Sequence, residues 1–350
     1  MSGTDRQKVV LGLSGGVDSS VAALRLREQG YEVHALYLDI GLGGAEAARE
    51  TAEELGLPFY VRDISQQLEE QVCRPFYADY LAGRTPLPCA RCNPTVKFPA
   101  LFRRAQEVGA DFVATGHYAR IETGADGEAR LCRGAHTNDQ AYMLARLPKA
   151  WLPRILFPIG GYEKTQVRQL ARDFGIPVAE KPDSMEICFI PDGDYAAWLD
   201  RRGTTPPPGD FVDKIGRVLG RHKGIHHYTI GQRRGLTISA GHRLFVSAIC
   251  PEDNTVVLSD GTDLMADVVW GEDWNPLAPV EEGEEVTVRL RHSKNETPAR
   301  FSPAGTGGRL ELLAPARAPT PGQLAVLYRG DTVLGSLWIT GARRVNEEKE

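Results

Sequence analysis

Val9-Val10-Leu11-Gly12-Leu13-Ser14-Gly15-Gly16-Val17-Asp18-Ser19-Ser20 is the stretch that decides the fold. A short apolar run, Val9 to Leu13, reads as a buried strand, and helical spacing takes over from Ser20 to Gln29. Between them lies a glycine turn. A strand, a tight turn and a helix N-terminus present several backbone N–H groups to one point, and the helix dipole reinforces their pull on an anion. Pyrophosphate fits such a nest. The loop has neither the lysine of a GxxxxGK[ST] P-loop nor the spacing of a GxGxxG dinucleotide fingerprint. The alternative is a glycine-rich connection with no ligand.

The same alternation continues outward. Val33 to Leu38, Phe59 to Val61 and Phe112 to Thr115 are short apolar runs suited to parallel strands. Ala45 to Leu55, Ile64 to Leu81, Phe98 to Val108 and Lys164 to Phe174 carry helical spacing, with stops such as Gly56, Gly109 and Gly175-Ile176-Pro177. The expected fold class is α/β, a doubly wound parallel sheet. The pattern changes near Asp200. After Gly203-Thr204-Thr205-Pro206-Pro207-Pro208-Gly209 come β-like runs at Arg217 to Leu219, Leu244 to Ile249, Thr255 to Leu258, Val286 to Leu290, Leu310 to Leu313, Ala325 to Tyr328 and Thr332 to Ile339. A break at Gly271 to Pro279 is expected to divide this half. The division reads as 1–200, a small central module at 205–268, and an all-β C-terminal barrel at 272–345.

Composition bounds the function. With 42% hydrophobic and 25% charged residues in 350, the chain is expected to be folded and soluble rather than disordered, collagenous or coiled-coil. It shows no apolar stretch near the roughly 20 residues of a membrane span and no secretory h-region after Met1, so a cytoplasmic protein with no membrane partner is expected. Six cysteines are too sparse for a disulfide scaffold. Their placement matters more. Cys89-Ala90-Arg91-Cys92 follows the turn-rich Gly83-Arg84-Thr85-Pro86-Leu87-Pro88, and Cys188 lies in Ser184-Met185-Glu186-Ile187-Cys188-Phe189-Ile190. A CxxC in a tight loop turns both sulfurs to one side, which suits redox chemistry, sulfur transfer or half of a zinc site. Cys73, Cys132 and Cys250 have no such setting.

The Ser14 to Ser20 loop resembles the SGGxDS loop of the PP-loop ATP pyrophosphatases, within the adenine nucleotide alpha hydrolase-like fold. These enzymes cleave ATP between the α and β phosphates and activate a substrate as its adenylate. That likeness alone also covers argininosuccinate, GMP and NAD synthetases and tRNA lysidine synthetase. A second set of residues narrows it: Gly83-Arg84-Thr85-Pro86, Cys92-Asn93, Val96-Lys97-Phe98, Ala114-Thr115-Gly116-His117-Tyr118, Asp139-Gln140, Ile187-Cys188-Phe189-Ile190, Gly231-Gln232-Arg233-Arg234-Gly235-Leu236 and Thr320-Pro321-Gly322-Gln323. In this order, over nearly the whole chain, they resemble the tRNA-specific 2-thiouridylases of the MnmA type.

The resemblance implies ATP- and Mg²⁺-dependent thiolation of the wobble uridine in glutamate, glutamine and lysine tRNAs, with sulfur supplied by a cysteine desulfurase or a relay protein. It implies that Cys92 is the nucleophile and Cys188 carries the persulfide. It implies ATP contacts from Gly12, Leu13, Ser14, Gly15, Gly16, Val17, Asp18, Ser19, Leu38 and Gly116, with Asp18 toward Mg²⁺ or pyrophosphate and Leu38 near the adenine. It implies tRNA contacts from Leu87, Pro88, Cys89, His117, Asn138, Asp139, Gln140, Arg233, Arg234, Arg291, His292 and Gln323. Read alone, His117 is a satisfied histidine at a strand end, and Asp139-Gln140 a helix N-terminus.

The chain also departs from the common family pattern. Cys89 stands where many members have Asp, so Cys89, Cys92 and Cys188 form a three-thiol set that suits a four-iron four-sulfur cluster with one open iron. A persulfide relay, or a disulfide, remains the other reading. Asp39-Ile40-Gly41-Leu42-Gly43-Gly44 replaces the usual Met-Lys-Asn-Trp segment, Ala141 a serine, and Met185-Glu186 a Thr-Gly pair. The chain is acidic overall, at -5, yet Lys214 to Arg243 holds no Asp or Glu and several Lys, Arg and His, an electrostatic footprint for phosphate. The alternative is a solvated hairpin balanced by Glu281, Glu282, Glu284 and Glu285. Two other functions fit parts of the pattern: a PP-loop thiolase for another tRNA base, and a zinc-stabilised nucleotide sensor that binds RNA without catalysis.

Overall fold

The computed structural model describes residues 6–176, 187–238, 241–292 and 295–344. They fall into two compact units. One draws on Met1–Val72, Cys89–Phe189 and Asp331–Val333, the other on Cys73–Pro88, Ile190–Gly330 and Leu334–Glu350.

The first unit is built on strands β1 (Lys8–Gly12), β2 (Glu32–Asp39), β3 (Phe59–Asp63), β4 (Phe112–Ala114), the hairpin β5 (Ala119–Thr123) and β6 (Ala129–Arg133), and β7 (Ile155–Leu156). Five of them form a parallel sheet in the order β3-β2-β1-β4-β7. Val9 stands between Val33 and Phe112, and Leu11 between Ala35 and Ala114. Val9, Val10 and Leu11 are fully buried because helices cover both faces of a doubly wound sheet. Each such aliphatic side chain contributes about 1.5–3 kcal/mol through burial. Strand order reverses between β1 and β4, so the loops after those two strands flank one crevice, the usual ligand position in an open α/β sheet.

The helices of this unit are α1 (Val17–Glu28), α2 (Ala45–Glu54) and α3 (Ser65–Leu68). The expected single helix from Ile64 to Leu81 is instead interrupted: a π-turn at Glu69–Cys73 separates α3 from α4 (Arg74–Leu81), which the second unit owns. Pro75 in the first turn of α4 has no N–H to donate, and the wider turn before it absorbs the missing bond. After α5 (Pro88–Cys92) a second π-turn, Asn93–Lys97, leads into α6 (Phe98–Val108), which carries Pro99 in the same place. The unit continues through α7 (Ala141–Leu144) and α8 (Lys164–Asp173), and α8 packs on α1.

The second unit adds α9 (Tyr195–Arg202) and ten strands, of which Thr332 and Val333 in the last belong to the first unit. β8 (Gly209–Val212), β9 (Val218–His222), β10 (Phe245–Cys250) and β11 (Thr255–Ser259) make a four-stranded sheet, β10-β11-β8-β9, over Phe211, Tyr228, Val246 and Val256. β12 (Met265–Pro276), β13 (Glu285–Arg289), β14 (Thr297–Ala304), β15 (Gly307–Arg317), β16 (Leu324–Arg329) and β17 (Thr332–Arg343) follow in the order β12-β15-β14-β13-β16-β17. β12 also pairs with β17, so these six strands close into a barrel with Phe301, Leu310, Leu327 and Leu337 inside. The expected break at Gly271 to Pro279 is therefore not there: most of that segment lies in β12, whose Trp270 and Gly271 are in register with β15 and β17. Its glycine and charged residues read as a linker because the outward face of a barrel strand tolerates them. No described helix is long and apolar enough to cross a membrane.

Leu11 sits at the centre of the parallel sheet with no exposed surface. Leu11→Ala should lower unfolding free energy by about 2–5 kcal/mol in a denaturant titration, through lost transfer energy plus a cavity. A loss below about 1 kcal/mol would mean the sheet centre is not tightly packed.

Candidate active site

The loop after β1 fixes its own shape. Leu13 N–H still bonds Leu36 O at 2.9 Å, after which the chain turns through Ser14, Gly15 and Gly16. Ser19 Oγ donates to Gly16 O at 3.0 Å and accepts from Ser14 N–H at 3.2 Å, and Ser20 Oγ also donates to Gly16 O at 3.0 Å. These bonds start α1 at Val17, three residues before the expected Ser20. The first-turn N–H groups of Val17, Asp18 and Ser19 have no partner within the helix, and no side chain caps them. Gly15 has φ +71°, and a Cβ there would fall 2.9 Å from Ala48 N. The loop fits a polyphosphate. Gly12 ends β1, and Leu38 is the penultimate residue of β2.

Asp18 is already engaged. Lys164 Nζ, at the first residue of α8, donates to both carboxylate oxygens at 2.7 and 2.8 Å, and Tyr118 OH donates to Oδ1 at 2.7 Å. Neither partner was expected from the sequence, since nothing local ties residues 118 or 164 to residue 18.

The turn after β4 joins the loop to the thiols. A Cβ on Gly116 would lie 2.9 Å from Asp18 C and Ser19 N, so only glycine lets the two chains meet. Next to it, His117 Nδ1 shares a 2.7 Å bond with Thr115 Oγ1, and the ring stands edge-on to Phe157. Burial, then the nearby Lys97 ammonium, holds the imidazole well below its ordinary pKa, and His117 is neutral.

Cys89 and Cys92 lie in a helix, not in the expected loop. Pro88 opens α5 as a first-turn proline, and a spacing of three puts both sulfurs on one helical face. The π-turn then brings Lys97 round toward them. Asn93 is buried and ties this segment to Met143 O at 3.0 Å. All six cysteines are free thiols. Burial pushes the Cys92 thiol up to about 11; the Lys97 ammonium and N–H oppose this, while Cys188 and Cys89 add to it. Cys188 is raised by burial and by Cys89, against Lys97, its own N–H and that of Phe189. The three thiols and Lys97 thus share one electrostatic neighbourhood. The expected Met185-Glu186 departure lies outside the described residues. Among the described residues the three sulfurs do not gather within 4.8 Å of one another, whereas thiolates on a single zinc would stand about 3.8 Å apart.

The match to known proteins spans the chain. A family model described as a tRNA methyl transferase HUP domain matches residues 7–192, a tRNA methyl transferase PRC-barrel domain matches 197–260, and an aminomethyltransferase beta-barrel domain matches 264–339. The tRNA-specific 2-thiouridylase MnmA of Geobacter metallireducens is 41% identical, covering 96% of this chain and 98% of that protein. The enzymes of the same name from Lachnoclostridium phytofermentans and Heliobacterium modesticaldum are 41% and 42% identical, covering 94% of this chain and 98% and 91% of theirs. The chain belongs to the tRNA-specific 2-thiouridylases.

The residues that the thiouridylase pattern assigns to tRNA have varied surroundings. Leu87 and Pro88 are half-buried ahead of Cys89. Asp139 Oδ1, next to Asn138, accepts from Gly134 N and Ala141 N at 3.0 and 2.9 Å, and Gln140 occupies the N-cap position of α7 without a side-chain capping bond. Gln140 also exchanges two bonds with the Tyr118 backbone, at 2.8 and 3.0 Å. In the second unit, Arg291 donates to Ile230 O at 2.6 Å and to Thr320 Oγ1, while His292 is exposed. Gln323 is buried and its amide donates to Thr85 O at 2.9 Å and Pro86 O at 3.3 Å.

The Lys214 to Arg243 stripe divides in two. Lys214, Arg217 and Arg221 pair with Asp263, Asp213 and Asp210, and buried His226 bonds Asp200 at 2.8 Å. Arg233 and Arg234 remain exposed. Glu284, one of the glutamates thought able to balance the stripe, pairs instead with Arg329.

Neutral His117 has a pH consequence. Its folded pKa lies below the unfolded value near 6.5, so below about pH 6.5 the unfolded chain takes up a proton that the folded chain refuses. Unfolding free energy should fall with pH by up to about 1.4 kcal/mol per unit for this group, and buried His222 and half-buried His227 act in the same direction. Denaturant titrations from pH 7 to 5 should show a shallower slope for His117→Gln. An identical slope would mean that His117 charges freely in the folded protein.

Proposed function

We propose that this chain is a tRNA-uridine 2-sulfurtransferase acting in the cytoplasm. ATP adenylates the oxygen on carbon 2 of the wobble uridine and pyrophosphate leaves; sulfur then displaces AMP, giving 2-thiouridine. The observation that carries this reading is the Thr115–Tyr118 turn, which abuts the nucleotide loop at Gly116 and shares the field of Lys97 with Cys92 and Cys188 through His117. Activation and sulfur delivery meet at one turn. A carbonyl oxygen is a poor leaving group until it becomes an AMP ester, after which a soft sulfur can attack the carbon.

In this reading the polyphosphate rests on the Val17, Asp18 and Ser19 N–H groups, Asp18 is the carboxylate for Mg²⁺, and Leu38 and Gly116 border the adenosine. The substrates are glutamate, glutamine and lysine tRNAs. Leu87 and Pro88, His117, the Asn138–Gln140 segment, Arg233, Arg234, Arg291 and His292 contact the RNA, and Gln323 supports them through the Thr85 and Pro86 carbonyls. The functional divisions are 1–200, a central module expected at 205–268 and a barrel expected at 272–345, with the boundary between the last two moved to the start of β12 at Met265.

The donor set of Cys89, Cys92 and Cys188 suits a four-iron four-sulfur cluster. When bound, that cluster would supply an open iron for a sulfide delivered by a cysteine desulfurase or relay protein. A thiol raised to about 11 is a poor nucleophile at neutral pH, and coordination to a metal would remove its proton. A persulfide relay is the second reading, favoured by the two backbone N–H groups on the Cys188 sulfur, which would steady a terminal sulfur anion.

Wobble-unmodified tRNA should stimulate release of AMP and pyrophosphate, and Asp18→Ala should abolish it; ADP and phosphate as products would overturn the assignment. Anaerobic reconstitution should give a broad visible band and sulfide-dependent thiolation, both lost in Cys89→Ala. Full thiolation by iron-free protein with a persulfide donor would establish the relay instead.

Exposed Arg233 and Arg234 generate a separate test. Their double alanine variant should weaken tRNA binding and flatten the slope of log K against log salt by about one to two units. An unchanged slope would mean that neither touches a phosphate.

A further inference from the structure

Asp18 and Lys164 pose a competition that the free protein resolves one way. Asp18 lies in the first turn of α1, among the N–H groups that form the anion nest. A carboxylate there repels phosphate unless a cation offsets it. Lys164 supplies the cation, bonded to both oxygens, with 19% of its side chain exposed. Its base is firmly held: Glu163 and Gln166 form a capping box at the start of α8, and Val167 and Ala171 sit in the same apolar core as Val17 and Val21. Tyr118 OH fastens the carboxylate from another side, with its ring 5.8 Å from the ammonium.

Mg²⁺ binds carboxylate oxygens at about 2.1 Å. It competes for Asp18 with the ammonium bonded across both oxygens, because two cations crowded on one carboxylate repel each other. Binding of the metal weakens the hold on the lysine. The ammonium that leaves stands beside the α1 N-terminus on a flexible four-carbon stem.

We propose that Lys164 is a polyphosphate-binding residue held in reserve on Asp18. On binding of Mg²⁺ and ATP, Asp18 turns to the metal and Lys164 passes to the β and γ phosphates. There it offsets the charge that collects on pyrophosphate as the bond between the α phosphorus and its bridging oxygen breaks, the electron pair leaving with pyrophosphate while the uridine oxygen bonds the α phosphorus. The lysine absent from the loop is thus supplied by α8. This role rests on the proposed ATP site.

Calorimetric titration of ATP and AMP, with and without Mg²⁺ and without tRNA, tests it apart from turnover. Lys164→Met should weaken Mg²⁺-ATP binding at least tenfold and leave AMP binding within twofold. Asp18→Asn should tighten ATP binding in the absence of Mg²⁺ several-fold, because it releases the ammonium, and adding Lys164→Met should erase that gain. Lys164→Gln provides the same comparison if the Met variant fails to fold. Equal losses for ATP and AMP, or a gain in Asp18→Asn that survives removal of Lys164, would overturn the proposal. Wild-type protein that binds AMP and ATP equally would also overturn it, whereas wild-type protein that binds neither would overturn the ATP site itself.

Discussion

The meeting of Gly116 with the Asp18–Ser19 backbone is the constraint on which the first unit turns. It exists because strand order reverses between β1 and β4, so that two loops leave adjacent strands at the same end of the sheet. One methyl group at residue 116 would push against backbone, not against a side chain that could swing away. Gly116 holds the turn against α1, His117 faces the Lys97 field, and Tyr118 reaches Asp18: three consecutive residues serve three parts of the site.

Charge follows the same economy. The chain as a whole is acidic, but the first unit sets Lys164 at the anion nest and Lys97 at the thiols. Keeping His117 neutral avoids a further cation beside Lys97 and leaves the imidazole free to accept or donate a hydrogen bond. The Cys92 and Cys188 thiols are raised, not lowered, so their reactivity has to come from whatever removes the proton.

The nucleotide loop was legible because it is local: strand, glycine turn and helix occur within one short window, and the alternation of strands and helices follows from buried apolar runs. The cysteines were legible as a set through family resemblance. Less visible was anything requiring distant residues to meet, above all the Lys164–Asp18 pair and the Gln323 bonds to Thr85 and Pro86. The helical setting of Cys89 and Cys92 was hidden by the turn formers before it, although Pro88 is also a good helix starter. The π-turns depend on how a helix accommodates proline, and the basic stripe lost part of its free charge to aspartates on neighbouring segments.

Neither compact unit is a continuous length of chain. The path passes from one to the other after Val72, Pro88 and Phe189, and again on either side of Asp331–Val333. During synthesis from the N-terminus, the ribosome has made most of the second unit before the first unit receives Asp331–Val333. A truncation anywhere before residue 331 therefore removes residues from both units at once.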